Sequence, residues 1–256
     1  MPPLYFCLWN TTKMENKIKI IATSDFHANL PEKYIPEGDL FLIAGDIGPW
    51  RRGTSSVYTQ ANWYNQKFEP WIKRQPVKSW FACFGNHDFV GENSVKLLSD
   101  YLQEHFLTDR SVSAFGLNIH GTPWQKPFCN WAFNLEEDRL AVRWSLIPDN
   151  TNILLAHSPA EGICDFTPYG SSSGEHIGSG TLLKRLYELP KLSLALWGHC
   201  HYSQNTHEII RPENPILCAN VALLNESYKM TGRPTIIEIE KEGEKIISTK
   251  IIEQEK

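Results

Sequence analysis

Lys17-Ile18-Lys19-Ile20-Ile21-Ala22-Thr23-Ser24-Asp25-Phe26-His27 carries two signals in one stretch. Lys17 to Thr23 is an apolar, β-branched run of strand length, and it stops at a polar cluster holding Asp25 and His27. Moving outward, the pattern recurs. Asp39 to Ala44 is followed by Gly45-Asp46, and Trp80 to Phe84 by Gly85-Asn86-His87-Asp88. Asn152 to Ala156 is followed by His157, and Leu192 to Trp197 by Gly198-His199-Cys200-His201. Helical stretches lie between these runs: Val57 to Arg74, Asn93 to Gln103, Leu135 to Leu146 and Gly180 to Leu189. Ser111 to Trp124 reads as a hairpin turning near Phe115-Gly116. Past Asn205 strands dominate, at Glu208–Ile210, Ile216–Val221, Thr235–Glu240 and Lys245–Ile252. The alternation predicts an α/β fold. In such folds ligands bind outside the strand ends, so the five polar endings are expected to meet.

Composition narrows the function classes. Apolar residues make up 41% and charged residues 21% of the 256, which suits an ordered globular chain. There is no repeat or low-complexity linker. Residues 14–256 are therefore expected to form one domain behind a flexible leader of residues 1–13, with Met14 an alternative start. A net charge of −4 argues against an extended nucleic-acid surface. Runs such as Leu40 to Ala44 are far too short to span a bilayer, so no membrane partner is expected. The six cysteines form no C-x-x-C pair, which suggests reduced thiols and a cytoplasmic protein.

The residue types at the strand ends point to metal. Asp25 and His27 are spaced i and i+2, as are His199 and His201, and persisting strand geometry would put each pair on one face. Asp46, Asn86 and His157 come from three further ends. Two carboxylates, one amide oxygen and four imidazoles are too many for one tetrahedral zinc. They suit two adjacent divalent ions of five or six ligands, of the Mn, Fe, Ni or Zn class. Cys200, between His199 and His201, is expected to point away.

In order, Asp25-Phe26-His27, Gly45-Asp46, Gly85-Asn86-His87-Asp88, His157 and Gly198-His199-Cys200-His201 resemble five motifs of the calcineurin-like metallophosphoesterases. Those motifs are D-x-H, G-D, G-N-H-[DE], H and G-H-x-H. The resemblance implies two mixed β-sheets packed as a sandwich flanked by α-helices. It implies one metal on Asp25, His27, Asp46 and His201, a second on Asp46, Asn86, His157 and His199, and Asp46 as the bridge. It further implies that His87 is the general acid facing the substrate and that Asp88 orients it and favours its charged form. Two ions roughly 3.5–4 Å apart would share a hydroxide that attacks the phosphorus.

Other residues carry weaker signals. Gly121-Thr122-Pro123-Trp124 resembles the family's G-[ST]-P-W segment, which makes Trp124 a candidate pocket wall. Asn86 is also a candidate substrate contact. Arg51, next to Arg52, is a candidate for the substrate phosphate, the alternative being a solvated loop pair. Trp63, Tyr64 and Trp71 read as core packing, and His105, His120, His176 and His207 stay outside the metal shell. His157-Ser158-Pro159-Ala160-Glu161-Gly162-Ile163-Cys164-Asp165, with Gly178-Ser179-Gly180 opening a helix, resembles the small phosphodiesterases related to the mammalian brain-expressed members. There the run shapes the pocket rim. The function implied is dinuclear hydrolysis of small phosphate diesters, including nucleotides such as cyclic mononucleotides. The alternatives are a phosphomonoesterase or nucleotide pyrophosphohydrolase on the same centre, and a non-catalytic protein-binding scaffold.

Overall fold

The structure is a computed structural model and describes residues 17–49, 56–168 and 173–252. The expected leader of residues 1–13, Met14 and Arg51 lie outside the described residues. The strands are β1 (Lys17–Thr23), β2 (Gly38–Ala44), β3 (Val77–Cys83), β4 (Arg110–Ala114), β5 (Leu117–Thr122), β6 (Ile153–Ala156), β7 (Phe166–Thr167), β8 (Glu175–His176), β9 (Leu194–Trp197), β10 (His207–Ile210), β11 (Ile216–Asn220), β12 (Thr235–Glu242) and β13 (Lys245–Ile251). The α-helices are α1 (Val57–Trp63), α2 (Glu69–Ile72), α3 (Phe89–Asn93), α4 (Asp100–His105), α5 (Glu137–Ser145) and α6 (Gly180–Glu188).

Two mixed sheets carry the fold. The first has the order β13-β12-β1-β2-β3, and the second β10-β11-β9-β6-β5-β4. In the first, β1, β2 and β3 run parallel; in the second, β5, β6, β9 and β11 do. Alternation along β1 explains the layering. Ile20 and Ala22 face the second sheet and pack with Leu40, Leu42, Ile119, Leu155 and Leu196, while Ile21 faces the helices, with Phe41, Tyr64, Phe68 and Trp71. On the outer face of the second sheet, Leu154, Ala195 and Trp197 pack under Leu140 and Trp144 of α5 and Leu182 and Leu186 of α6. Strands covered on both faces need apolar side chains on both, hence their unbroken hydrophobic runs. The expected sandwich flanked by helices is the observed fold. Among the described residues no helix is long and apolar enough to cross a membrane.

Two local differences have physical causes. The expected helix from Val57 to Arg74 contains a π-helical turn at Tyr64–Phe68, where the Glu69 N–H bonds back to Tyr64 O. Pro70 follows at once and has no N–H to continue the α-helical ladder. The expected helix over Asn93 to Gln103 is broken into α3, a 3₁₀ turn at Val95–Leu97 and α4. Ser94 leaves helical geometry at φ −156°, and Ser99 caps α4 by accepting from Leu102 N. Between β6 and α6 the described residues include the short antiparallel β7–β8 ribbon. The hairpin turns where expected, with Phe115 and Gly116 both at positive φ.

Candidate metal centre

The five polar endings meet at one edge of the sandwich, in the gap between the sheets. β1, β2 and β3 deliver Asp25, His27, Asp46, Asn86 and His87; β6 and β9 deliver His157, His199 and His201. Strand geometry does not persist into these segments. Asp25, His27, Asp46 and His199 have φ of 56°, 43°, 51° and 63°, so left-handed turns, not strand alternation, bring the side chains together. Such conformations are costly for non-glycine residues and persist where the surroundings over-determine them. Here the Asp25 N–H donates to Gly45 O and the His27 N–H to Asp46 O, lacing the first two loops together. Close approach explains two motif glycines: a Cβ on Gly85 would sit 2.2 Å from Asp46 Oδ1, and one on Gly198 would sit 2.0 Å from Asp25 Oδ2.

Asp46 lies at the centre. Its Oδ2 is 3.6 Å from His27 Nε2 and 3.5 Å from His157 Nε2, and its Oδ1 accepts from the His87 N–H at 2.8 Å. On one side Asp25 Oδ1 is 3.1 Å from His201 Nε2, and His201 Nε2 is 3.3 Å from His27 Nε2. On the other, Asn86 Oδ1 is 2.8 Å from His157 Nε2 and 2.7 Å from His199 Nδ1. Asp25, Asp46, Asn86 and His157 are buried. Cys200 points away as expected, its thiol donating to Phe166 O.

These residues fit divalent cations on the chemistry of their donor atoms. A carbonyl only accepts, so His157 Nδ1–H must be the donor to Ala44 O at 2.8 Å, and the same holds for His201 Nδ1–H and Asn225 O at 3.2 Å. The remaining Nε2 lone pairs then face Asn86, Asp46 and Asp25 oxygens. Acceptors turned on acceptors call for a proton or a cation between them, and a carbonyl-anchored imidazole is the usual arrangement of a metal-ligating histidine. Charge agrees. Burial, with Asp88 and Asp25 close by, pushes the Asp46 carboxyl well above the usual range. Burial also opposes ionisation of Asp25, but His201, His157 and His27 around it outweigh that and hold its carboxyl low. A cation beside Asp46 would hold it ionised.

His87 borders the group, with Nε2 3.8 Å from Asp46 Oδ2 and its ring 4.2 Å from that of Trp131. Asp88 does not support it in the expected way. Its carboxylate accepts from Tyr64 OH at 2.7 Å and from the N–H groups of Gly85, Gly48 and Ile47 at 2.8, 3.0 and 3.3 Å. It therefore fixes the backbone under Asn86 and His87, with Gln60 Nε2 donating to His87 O. Nor is the charged form of His87 favoured by the protein: burial first, then His157, pushes its imidazole down to about 3.

A cavity of about 580 Å³ opens above Asp46, Asn86, His87, His199 and His201. Trp124 is not among its lining residues. Its indole N–H is captured by Asp109 at 2.8 Å, and Arg143 lies over its ring at 4.3 Å. The aromatic wall comes instead from Phe128 and Trp131, farther along the same loop. Tyr228 also lines the cavity, and its ring packs edge-on against those of His27 and His201 at 5.0 and 5.4 Å. No sequence pattern marked Tyr228 or Trp131. His176 lines the cavity and is paired with Asp165 at 2.6 Å, and Asp165 also accepts from the Gly162 and Gly178 N–H groups.

Residues 18–203 match the family described as calcineurin-like phosphoesterase. The human and mouse proteins named metallophosphoesterase domain-containing protein 1 are each 23% identical over 248 residues, spanning 86% of this chain and 71% of theirs. The crystal structure of a dimetal phosphatase from Danio rerio covers 87% of this chain and 92% of its own at a TM-score of 0.51; at 10% identity the likeness is one of fold. With the family match running from β1 through the histidines that follow β9, the chain belongs to the calcineurin-like phosphoesterases, hydrolases of phosphate esters that work with divalent metal ions.

Proposed function

We propose that this phosphoesterase is a dinuclear enzyme that cleaves small phosphate diesters, nucleotides such as cyclic mononucleotides among them. The observation that carries the reading is the position of Asp46 Oδ2, 3.6 Å from an imidazole of one ligand group and 3.5 Å from an imidazole of the other. Asp25, His27, Asp46 and His201 would hold one ion, and Asp46, Asn86, His157 and His199 the second. Such ions supply charge neutralisation at the phosphoryl oxygens and lower the pKa of water. The chain's own residues do the rest. Asn86 lines the cavity floor, where it can contact a phosphoryl oxygen. His87 holds a proton at Nε2 for the departing oxygen. Its buried ring resists that proton, and the negative charge of a bound phosphate offsets the resistance.

The diester preference rests on the cavity's charge. Among the described residues Lys126 is the one Lys or Arg in its lining, and its Nζ already donates to Gly178 O at 3.1 Å, while Glu175 and Glu226 add carboxylates. A monoester dianion is ordinarily gripped by more cationic donors than that. The test is one leaving group presented as diester and as monoester with saturating manganese(II). The diester should show the higher kcat/KM; a preference for the monoester makes the protein a phosphomonoesterase and leaves the metal ligands as assigned.

A further inference from the structure

We infer that Asn220 is a positioning residue for the metal centre, its amide bracing the segment from which His199 and His201 reach the two ions. The inference rests on the ligand assignment above. Asn220 ends β11, in register with Trp197 of β9, and its side chain is fully buried. Its Nδ2, with two N–H groups shared among three acceptors, lies 2.9 Å from Cys200 O, 3.2 Å from Gly198 O and 3.3 Å from Cys164 O, and its Oδ1 accepts from Ala222 N at 3.1 Å.

The two nearer carbonyls flank His199, the residue at φ 63°. A histidine held in that conformation stores strain, and the strain needs an opposing restraint. Asn220 supplies one by tying down the peptide on either side. Relaxation of that turn would move the His199 ring from Asn86 Oδ1, now at 2.7 Å, and His201 Nε2 from Asp25 Oδ1, now at 3.1 Å. Because those two histidines serve different ions, one side chain governs both. The third carbonyl, Cys164 O, ties the same amide to the loop that follows His157. The site demands an amide. A carboxylate would face three carbonyl oxygens, and an apolar group would remove the Asn220 donor from all three, leaving Gly198 O to Cys200 N and Cys200 O to Ser203 N.

The experiment titrates manganese(II), with zinc(II) as a second probe, into metal-free wild-type, Asn220→Ser and Asn152→Ser chains by calorimetry, beside thermal melts. Asn152 is the control. It is a buried amide at the opposite end of the same sheet, accepting from Asn118 N and donating to Lys191 O. Asn220→Ser should weaken ion binding by roughly 10–100-fold, the range for groups that orient ligands. It should regain most of its kcat at saturating manganese(II), because the His87 loop is untouched. Asn152→Ser should lower Tm yet bind ions within about two-fold of wild type, as a group remote from the ligands should. If Asn220→Ser lowers Tm but binds ions as wild type does, Asn220 is only structural and the inference fails. Should Asn220→Ser not fold, Asn220→Thr, with a β-branched side chain suited to a strand end, takes its place. A wild-type chain that binds neither ion overturns the metal centre itself, and this inference with it.

Discussion

The loops of the first sheet offer oxygens and one imidazole, His27, while those of the second offer imidazoles alone, and backbone groups of opposite kind hold the best-anchored members of each. Asp46 and Asp88 are held by N–H donors: His87 N for Asp46, and Gly48 N and Gly85 N for Asp88. His157 and His201 are held by carbonyls, at Ala44 and Asn225. An oxygen ligand already has the charge or dipole a cation needs, so its loop has only to aim it. An imidazole has to be put in one tautomer as well, and an acceptor on Nδ1 does that. Substitutions in the first sheet should therefore remove charge and act at once on the whole centre. Those around the second should change orientation and act by degrees.

Asp46→Asn is the strongest way to break this contrast. It keeps the shape and removes the negative charge that lies 3.6 Å from His27 Nε2 and 3.5 Å from His157 Nε2. Elemental analysis should find about two metal ions per wild-type chain, in keeping with a two-metal site, and clearly fewer in the variant. Activity should fall by far more than the roughly 100-fold attached to supporting groups. Loss of one ion alone would show that Asp46 belongs to a single site.

His87→Ala comes next and separates chemistry from metal binding. Turnover should fall by roughly 10²–10⁴-fold, the range for a general acid, with metal content intact. The loss should shrink for nitrophenolate esters, whose leaving group needs little protonation. An equal loss for good and poor leaving groups would mean that His87 orients the substrate.

The sequence made most of this site legible because its ligands stand where apolar strands stop, and strands are the easiest elements to read. Residues that support the ligands carry no such mark. Asn220 also ends a strand, but it is a single amide with no Asp or His beside it. Gln60 and Tyr64 lie on a helix face that reads as packing, and only the fold brings them to the loop after β3. Trp124 stands away from the cavity for a related reason: the sequence shows an aromatic on a promising loop, but not that the carboxylate of Asp109 takes its indole N–H. The convergence of Asp25 and His27 was expected for the wrong local reason, since positive φ angles are tertiary outcomes that residue types permit and do not dictate.

The smallest effect should come from Tyr64→Phe, and it tests whether the two kinds of support are independent. Tyr64 OH donates to Asp88 Oδ1 at 2.7 Å from within the π-helical turn, and both groups are buried. The substitution removes one hydrogen bond to a carboxylate that keeps three backbone donors. The expected cost is about 1.5 kcal/mol, at the low end for a bond to a charged group. For a chain of this size that is a fall in Tm of roughly 3–6 °C. Asp88 fixes the backbone beneath His87, so turnover should slip a few-fold with KM little changed. Manganese(II) affinity should stay close to the wild-type value, because three backbone donors still hold Asp88 and the loop that carries Asn86. If affinity fell as far as in Asn220→Ser, the loop after β3 and the loop after β9 would be one mechanical unit, and the division between aiming oxygens and orienting imidazoles would not hold.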